Sequence, residues 1–433
     1  MIDLIKSGLK VACADDWKII ERKNESLEWY FIGEALDVAR AVETASYDVS
    51  VYSEGAAEGA KTRGECIVKI QSGSEEEEIG LTLRRAVATA AAMKNPWYPL
   101  AEPSTEVPPK PKSGFDGLSM GEAMERVRSA LYAPDGLDGA RINSLELFLG
   151  MEATRIVNSR GVDVAWATWR GRGEFVVNAG AGGGEVELYH EFEFSEPDTK
   201  RLSEIVQRQL AAVRDRLVAA PTPDCAGLPL LLSGELAGKV YGYYLANLYG
   251  DAVYEKVSNF NLGDRVGKEG GKGDPVGLRA VPYVKGSPNG APYDELGFPL
   301  VAVKCIEDDK VLRLVTSVKY AHYLDLPVTG MLPLFELAPG SRTEKELRSM
   351  PHIEAVAFSD FYVDSTTGDF GGEIRLAYVN RDGARIPVTG GSITGSVTAN
   401  RGEMLLSREI EAKARSLSPV ACILPSATVS PAT

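Results

Sequence analysis

Histidine most often carries acid–base or metal chemistry, and this chain has only three: His190, His322 and His352. A zinc-peptidase motif needs two histidines on one face of a helix, with a glutamate beside the first. His190 is followed by Glu191, but residues 192–194 read Phe-Glu-Phe, which alternates like a strand and adds no second histidine. We therefore expect the three histidines to be packing or surface residues.

Other common motifs are incomplete as well. The cysteines are odd in number, widely scattered and without a Cys-x-x-Cys pair, which indicates reduced thiols and not a disulfide framework or a cysteine-rich zinc site. The lysine-containing loop at residues 267–274 misses the spacing of a phosphate-binding loop, and residues 390–394 miss the last glycine of a nucleophile elbow. On residue chemistry alone, the chain shows no complete catalytic constellation.

The charge balance limits the classes of molecule that the chain is expected to bind. The chain has 47 Lys+Arg against 61 Asp+Glu, a formal charge of −14. Because affinity for phosphate backbones comes from basic residues that displace counterions, we expect no direct binding of nucleic acid. No apolar run approaches the roughly 20 residues that span a bilayer, and residues 1–17 lack the apolar stretch of a signal peptide. We expect a cytoplasmic protein that does not contact a membrane.

Proline marks the predicted domain boundary. Six of the 24 prolines lie within residues 95–114, where a fixed φ and a missing amide donor exclude a helix or an inner strand. Such a composition is typical of a semi-rigid extended connector. We predict an N-terminal α/β domain at residues 1–95, a Pro-rich linker at 96–114 and a larger, β-rich domain at 115–433.

Hydrophobic periodicity predicts an α+β chain. Before the linker we expect short strands and a helix at residues 79–93 that Ser74 caps. After it, Ser119 and Glu122 fit a capping box, and further helices are expected at 198–219 and 235–248. The predicted strands are residues 17–21, 27–32, 47–52, 66–70, 153–157, 162–169, 174–178, 300–306, 311–318, 355–363, 373–379 and 386–388.

Five ordered motifs make the second domain resemble the TldD/PmbA family, long known as modulators of DNA gyrase and understood as peptidases. The motifs are an Asn-Ser-x-Gly turn at 158–161, a helix-opening segment at 230–238, an acidic loop at 293–299 with one extra residue, Leu296, a Val-Thr-Gly segment at 328–330 and a C-terminal signature at 367–395. The resemblance covers about residues 113–433 and is loose before them. It implies a C-terminal domain of TldD/PmbA type.

The resemblance also implies a zinc site that this chain does not retain. TldD-like members carry His-Glu-x-x-x-His on a helix, where the histidines and a later cysteine would hold zinc and the glutamate would activate its water. The matching positions here are Gly234, Glu235 and Lys239. Glycine offers no ligand and an ammonium repels Zn²⁺, while Cys422 lacks the context of the ligand cysteine. We expect no metal in this chain.

This departure resembles the PmbA (TldE) branch, whose members lack the metal motif and pair with a metal-bearing TldD-like chain. The resemblance implies a heterodimer that holds an unstructured peptide in an extended form and cuts it at the partner's zinc. Two alternatives remain: a self-sufficient metallohydrolase using Glu235 with His190 or His322, and a homodimeric peptide-binding or scaffold protein.

The residues around the altered motif also have structural explanations. Ser233 can cap the helix, Glu235 in the first turn is favoured by the helix dipole, and Lys239 one turn later can pair with it. Nearby aromatic residues are predicted either to lie in the core or an interface or to contact the peptide. They are Tyr241, Tyr243 and Tyr244.

Overall fold

The computed structural model describes residues 1–109, 111–181 and 184–432. Its α-helices are α1 (Ile2–Val11), α2 (Glu76–Ala92), α3 (Met120–Tyr132), α4 (Thr199–Leu217), α5 (Gly234–Ala246), α6 (Gly250–Tyr254), α7 (Val318–Leu324) and α8 (Glu344–Ser349). The mixture of these helices with three β-sheets confirms the predicted α+β class. Within the described residues, no helix is both long enough and apolar enough to cross a bilayer.

The first sheet has the strand order β4-β3-β2-β1-β5-β6-β7, and every neighbouring pair is antiparallel. The α/β label predicted for the N-terminal domain is therefore corrected to α+β. Its strands are β1 (Asp16–Ile32), β2 (Ala35–Ala57), β3 (Ala60–Gln71), β4 (Asn95–Pro96), β5 (Ala140–Asn158), β6 (Asp163–Ala179) and β7 (Val186–Phe194).

This sheet also corrects the predicted domain boundary. β1 pairs with β2 on one edge and with β5 on the other, from Lys18 opposite Asn158 to Ile32 opposite Ser144. Strands from both sides of the Pro-rich segment thus form one sheet, and residues 1–95 do not fold around a sheet of their own. Prolines indicate where regular structure stops, but they do not determine which strands pair across the interruption.

The Pro-rich segment lies against this sheet. Beyond β4 its described residues run to position 112 without helix or strand, as predicted, but Tyr98 is buried. The fully buried Arg63 of β3 lies 5.2 Å from the Trp97 ring and 5.6 Å from the Tyr98 ring, and it bonds Asp16 of β1 at 3.0 Å. The segment is therefore held to β1 and β3 by cation–π and ionic contacts around one guanidinium.

Of the two predicted helix N-caps before residue 130, the structure confirms one and contradicts the other. The Ser119–Glu122 capping box at the start of α3 is confirmed. The N-cap of α2 is Glu75, without a side-chain hydrogen bond, so the predicted Ser74 cap is wrong. Helix α1 was not predicted. Its apolar residues lie in the same buried cluster as those of α2 and β2, and this long-range packing is what stabilises so short a helix.

Two further sheets form the C-terminal part. One has the order β18-β21-β9-β14-β15-β16-β8, with β17 pairing with β15 and β22, and the other has the order β12-β11-β10-β13-β20-β19. The strands are β8 (Ala220–Pro221), β9 (Leu230–Ser233), β10 (Leu278–Val281), β11 (Val303–Glu307), β12 (Lys310–Val311), β13 (Leu334–Leu337), β14 (His352–Val363), β15 (Asp369–Arg381), β16 (Ala384–Thr389), β17 (Ser392–Ser396), β18 (Leu405–Leu406), β19 (Ile410–Ala412), β20 (Ser416–Pro419), β21 (Ala421–Leu424) and β22 (Ala427–Ser430).

The largest hydrophobic cluster contains α5 together with residues of both sheets, so this helix is a central element of the core. Its observed bounds, Gly234–Ala246, agree closely with the prediction. The strand predicted at 311–318 is wrong, because β12 ends at Val311 and α7 begins at Val318. The β-formers there are buried without continuing a ladder.

We expect Arg63→Met to lower the free energy of unfolding by roughly 2–4 kcal/mol, because it removes a buried cation from two carboxylates and three aromatic rings. The matched control is Arg155→Met, which removes a two-point but exposed pair with Asp163 and should cost less than about 1 kcal/mol. Urea denaturation measures both values. Equal losses in the two variants would show that Arg63 does not secure the segment.

Candidate functional site

A tight junction between β9 and α5 positions the altered motif. Gly234 has φ +59°, and its N–H donates to the Val420 carbonyl at 3.0 Å. An L side chain in this left-handed conformation costs about 1–2 kcal/mol, so the glycine fits the turn. Ser233 is the N-cap residue, as predicted, but its hydroxyl makes no capping hydrogen bond.

A cavity of about 550 Å³ lies along one face of α5. Helix positions spaced by three or four residues line it: Glu235, Gly238, Lys239, Gly242, Leu245 and Ala246. A Cβ added at Gly242 would meet no atom within 4 Å, so this glycine leaves the middle of the cavity open. At Gly238 a Cβ would lie 2.8 Å from Lys413 Cδ, so only glycine lets that lysine approach the helix.

The other walls come from distant parts of the chain. They are Tyr249, Pro333, Phe335, the strand end Phe361, Tyr362 and Val363, and the turn residues Lys413, Ala414, Arg415 and Ser416. β14 pairs with β15 along one edge, whereas on the other edge β9 pairs with it only at Ile353 and Glu354. Among the described residues, no strand covers that second edge between positions 355 and 363. The cavity therefore adjoins an unpaired strand edge.

Glu235 and Lys239 each bond to backbone of a different wall. The Lys239 Nζ donates to the Phe361 carbonyl at 3.1 Å, and Glu235 Oε1 accepts the Ala414 N–H at 2.9 Å. Among the described residues, Glu235 and Lys239 do not form an ion pair with each other. The predicted Glu235–Lys239 pair is therefore wrong. Helical spacing brought them to one face, but hydrogen-bonding partners outside the helix determined where each side chain points.

Charges in the cavity have unequal environments. Loss of hydration raises the pKa of the Glu235 carboxyl, while the Ala414 N–H and the cations of Arg201 and Lys413 act in the opposite direction. Burial lowers the pKa of the Lys413 ammonium, and Glu411 opposes that change. Lys413 is 2% exposed and donates to the carbonyls of Ser418 and Pro419 at 3.2 and 2.9 Å. It is thus a structural cation of the cavity wall.

The donor set does not fit a zinc ion of the peptidase type. At the two histidine positions the chain presents a glycine without a side chain and an ammonium that already donates to a carbonyl. No group of three or more His, Cys, Asp or Glu side chains with metal-site proximity occurs in the described ranges. Cys422 is fully buried in β21, where burial raises its pKa to about 12.

None of the histidines is among the residues that line the cavity. His190 in β7 hydrogen-bonds Gln209 at 3.2 Å, His322 in α7 lies 5.6 Å from the Trp97 ring, and the buried His352 bonds Met350 and Asn380. A ligand set that combines Glu235 with His190 or His322 is therefore not assembled at the cavity.

The three tyrosines of α5 lie on its buried side. Tyr241, Tyr243 and Tyr244 are 0–2% exposed, and Tyr244 stacks on Phe260 at 6.2 Å. None of them lines the cavity, so their contact with a peptide stays a prediction without support from the contacts around it.

The cavity wall at Lys413–Ser416 and the strand edge at Phe361 were not predicted from the sequence. Basic residues spaced by one, Lys413 and Arg415, in an acidic chain were a weak signal for the first. No local signal marked the second, because an unpaired edge exists only once the sheet is assembled.

Part of the chain matches a known family in sequence, and the whole chain is similar to known proteins in structure. Residues 226–433 match the sequence model of the PmbA/TldA metallopeptidase C-terminal domain. No curated protein matches the chain in sequence. TldE from Thermococcus kodakarensis is similar in structure over 100% of both chains, with TM-score 0.77 and 16% identity.

Two proteins named as DNA gyrase modulators are similar in structure as well. The one from Thermotoga maritima has TM-score 0.78 and 15% identity over 99% of this chain and 100% of its own. The one from Bacteroides thetaiotaomicron has TM-score 0.78 and 14% identity over 99% and 98%. These likenesses show that the chain has the same fold over its whole length, and residues 226–433 match the C-terminal domain of the PmbA/TldA metallopeptidases.

Proposed function

We propose that this chain is a noncatalytic, TldE/PmbA-like subunit of a TldD-type zinc metallopeptidase that cleaves unstructured peptides. The observation that carries the proposal is the cavity itself: it lies on the motif helix beside an unpaired strand edge, while its motif positions offer glycine and lysine in place of two imidazoles. Zinc then belongs to a TldD-like partner chain.

The β14 edge supports an extended peptide as the occupant. A strand edge that lacks a neighbour presents unpaired backbone N–H and C=O groups, and an added strand satisfies them without reference to its side chains. Apolar side chains of Phe335, Leu245 and Val363 beside this edge give the peptide's side chains contacts of little specificity. A folded domain cannot present a free strand in this way, which fits a preference for unstructured peptides.

Two alternative functions can be compared with the cavity and the β14 edge. A self-sufficient metallohydrolase would need ligands at the cavity that the described histidines do not provide. A homodimeric peptide-binding protein remains the second candidate, because the cavity and the β14 edge lie within one chain and do not depend on a partner's residues.

Metal content separates these functions. We expect the isolated chain to carry less than about 0.1 zinc per molecule, and a complex with a coexpressed His-Glu-x-x-x-His paralogue to carry about one. Inductively coupled plasma mass spectrometry of both preparations measures this. Stoichiometric zinc in the isolated chain would favour the metallohydrolase, and failure of the two chains to copurify would favour the homodimer.

The family glutamate tests whether this chain does the chemistry. In the complex, Glu235→Gln should leave kcat within about twofold, because Gln keeps the acceptor for the Ala414 N–H and no proton transfer depends on this carboxylate. The same change in the partner's motif should reduce kcat by about 10²–10⁴. A comparable loss from Glu235→Gln would overturn the noncatalytic assignment.

Filling the cavity tests peptide binding. Gly242→Leu places a side chain in open space, so we expect the fold to remain while affinity for a mixture of fluorescent, unstructured decapeptides falls about tenfold or more. Gly121→Leu is the matched control, since it is also a helical glycine without a neighbour within 4 Å but lies in α3. Gly242→Leu should unfold no earlier than the parent, because glycine disfavours a helix interior by about 1 kcal/mol. Gly121→Leu, in the first turn of α3, should unfold close to the parent. Equal affinities in both variants would rule out this cavity as the peptide site.

A further inference from the structure

The cavity is cationic in an acidic protein. Its lining residues include Lys239, Lys413 and Arg415 against one carboxylate, Glu235, although the chain as a whole has a formal charge of −14. A concave surface with one sign of charge and apolar walls concentrates ligands of the opposite sign. The question is which of these cations are available to a ligand.

Two of the four charges are engaged within the protein. The Lys413 ammonium is buried, donates to two carbonyls and lies 3.3 Å from Glu411 Oε1. Glu235 uses one carboxylate oxygen for the Ala414 N–H, and Arg201 and Lys413 add attractive charge near it. Neither group needs a ligand to complete its contacts.

The other two cations keep free donors. Lys239 uses one of three N–H groups on the Phe361 carbonyl. The Arg415 guanidinium is exposed, and the hydrogen bonds and ion pairs of the described residues do not involve it; only its backbone carbonyl accepts, from the Phe335 N–H. Both side chains line the same cavity, one on the helix and one on the turn before β20.

We propose that this cavity binds a single carboxylate of its peptide ligand through Lys239 and Arg415. The inference rests on the proposed peptide-binding function and names the class of peptide. A guanidinium offers two parallel N–H donors that match a carboxylate, and an ammonium adds a point charge. The carboxylate comes from the peptide C-terminus or from an Asp or Glu side chain, and both sources share this chemistry.

The residues around Lys239 determine where the carboxylate lies and which peptides the cavity selects. Because Lys239 is bonded to Phe361 at the β14 edge, a carboxylate beside it lies where a peptide strand on that edge meets α5. Glu235 on the same helix face repels a second negative charge, so the cavity selects one carboxylate and does not favour a polyacidic peptide. Phe335 and Phe361 suit the apolar parts of a peptide better than a free inorganic anion.

The test compares labelled peptides that share one neutral six-residue core. The four forms are the free C-terminal carboxylate, the C-terminal amide, the amide with one internal Glu and the amide with Gln in its place. Fluorescence anisotropy with the purified protein, and with its complex where a partner copurifies, gives Kd. We expect at least one carboxylate form to bind about tenfold more tightly than its neutral counterpart, with the stronger source identified by which pair differs.

Substitutions at Lys239 and Arg415 test whether these two residues cause the preference for a carboxylate. Lys239→Met and Arg415→Met keep the apolar stem and should each reduce the preference to about twofold or less, with unchanged circular dichroism. Lys200→Met removes one exposed cation of α4 that does not line the cavity, and should leave the preference intact. An equal effect of all three variants would indicate net charge and not a site, and would overturn the inference.

The remaining outcomes separate this inference from the proposed function. If neutral and carboxylate peptides bind equally and Gly242→Leu weakens both, the carboxylate site is wrong and the peptide function stands. If no peptide form binds, the peptide function fails. If inorganic phosphate at millimolar concentration displaces the peptides fully, the cavity is a general anion site and the inference is overturned.

Discussion

The packing of α5 between two sheets is the constraint on which the cavity depends. Six residues of α5, its three tyrosines among them, are buried in the core that it shares with β9, β14 and the second C-terminal sheet. One narrow face remains open because two of its positions are glycines. The helix is thus fixed by apolar burial on one side, while its polar and small residues line the cavity on the other. A rigid helix with an open face is a suitable wall for a binding site.

The charged groups of Glu235 and Lys239 on that face make hydrogen bonds to backbone that are incompatible with binding a metal ion. Lys239 donates to a carbonyl of β14, and Glu235 accepts a backbone N–H of the turn before β20. These two bonds connect α5 to two other walls of the cavity. In this chain the motif positions therefore connect the cavity walls, and their side chains supply charge for recognition and not ligands for a cation.

The first sheet connects the N-terminal residues to this region. β1 is central in it, and its Arg22 bonds Glu295 of the acidic loop at 2.8 Å, beside the buried Asp294. Asp294 accepts three backbone N–H groups, from Leu296, Phe298 and Met331, which fixes the loop and the approach to β13. The N-terminal residues consequently belong to the same framework as the cavity walls and are not a module attached through a flexible linker.

The sequence by itself determined the local features. The capping box at Ser119 and the extent of α5 depend on residues within a few turns of one another, where periodicity and side-chain chemistry are sufficient. The missing histidines and the family resemblance depend only on residue identities and their order along the chain. Only the tertiary structure decided that β1 pairs with β5 across the prolines, that Glu235 and Lys239 bond to different walls of the cavity, and that Arg415 lines the same cavity as Lys239. These contacts join residues more than 100 positions apart, and they form because burial of the whole core selects them, which no local pattern encodes.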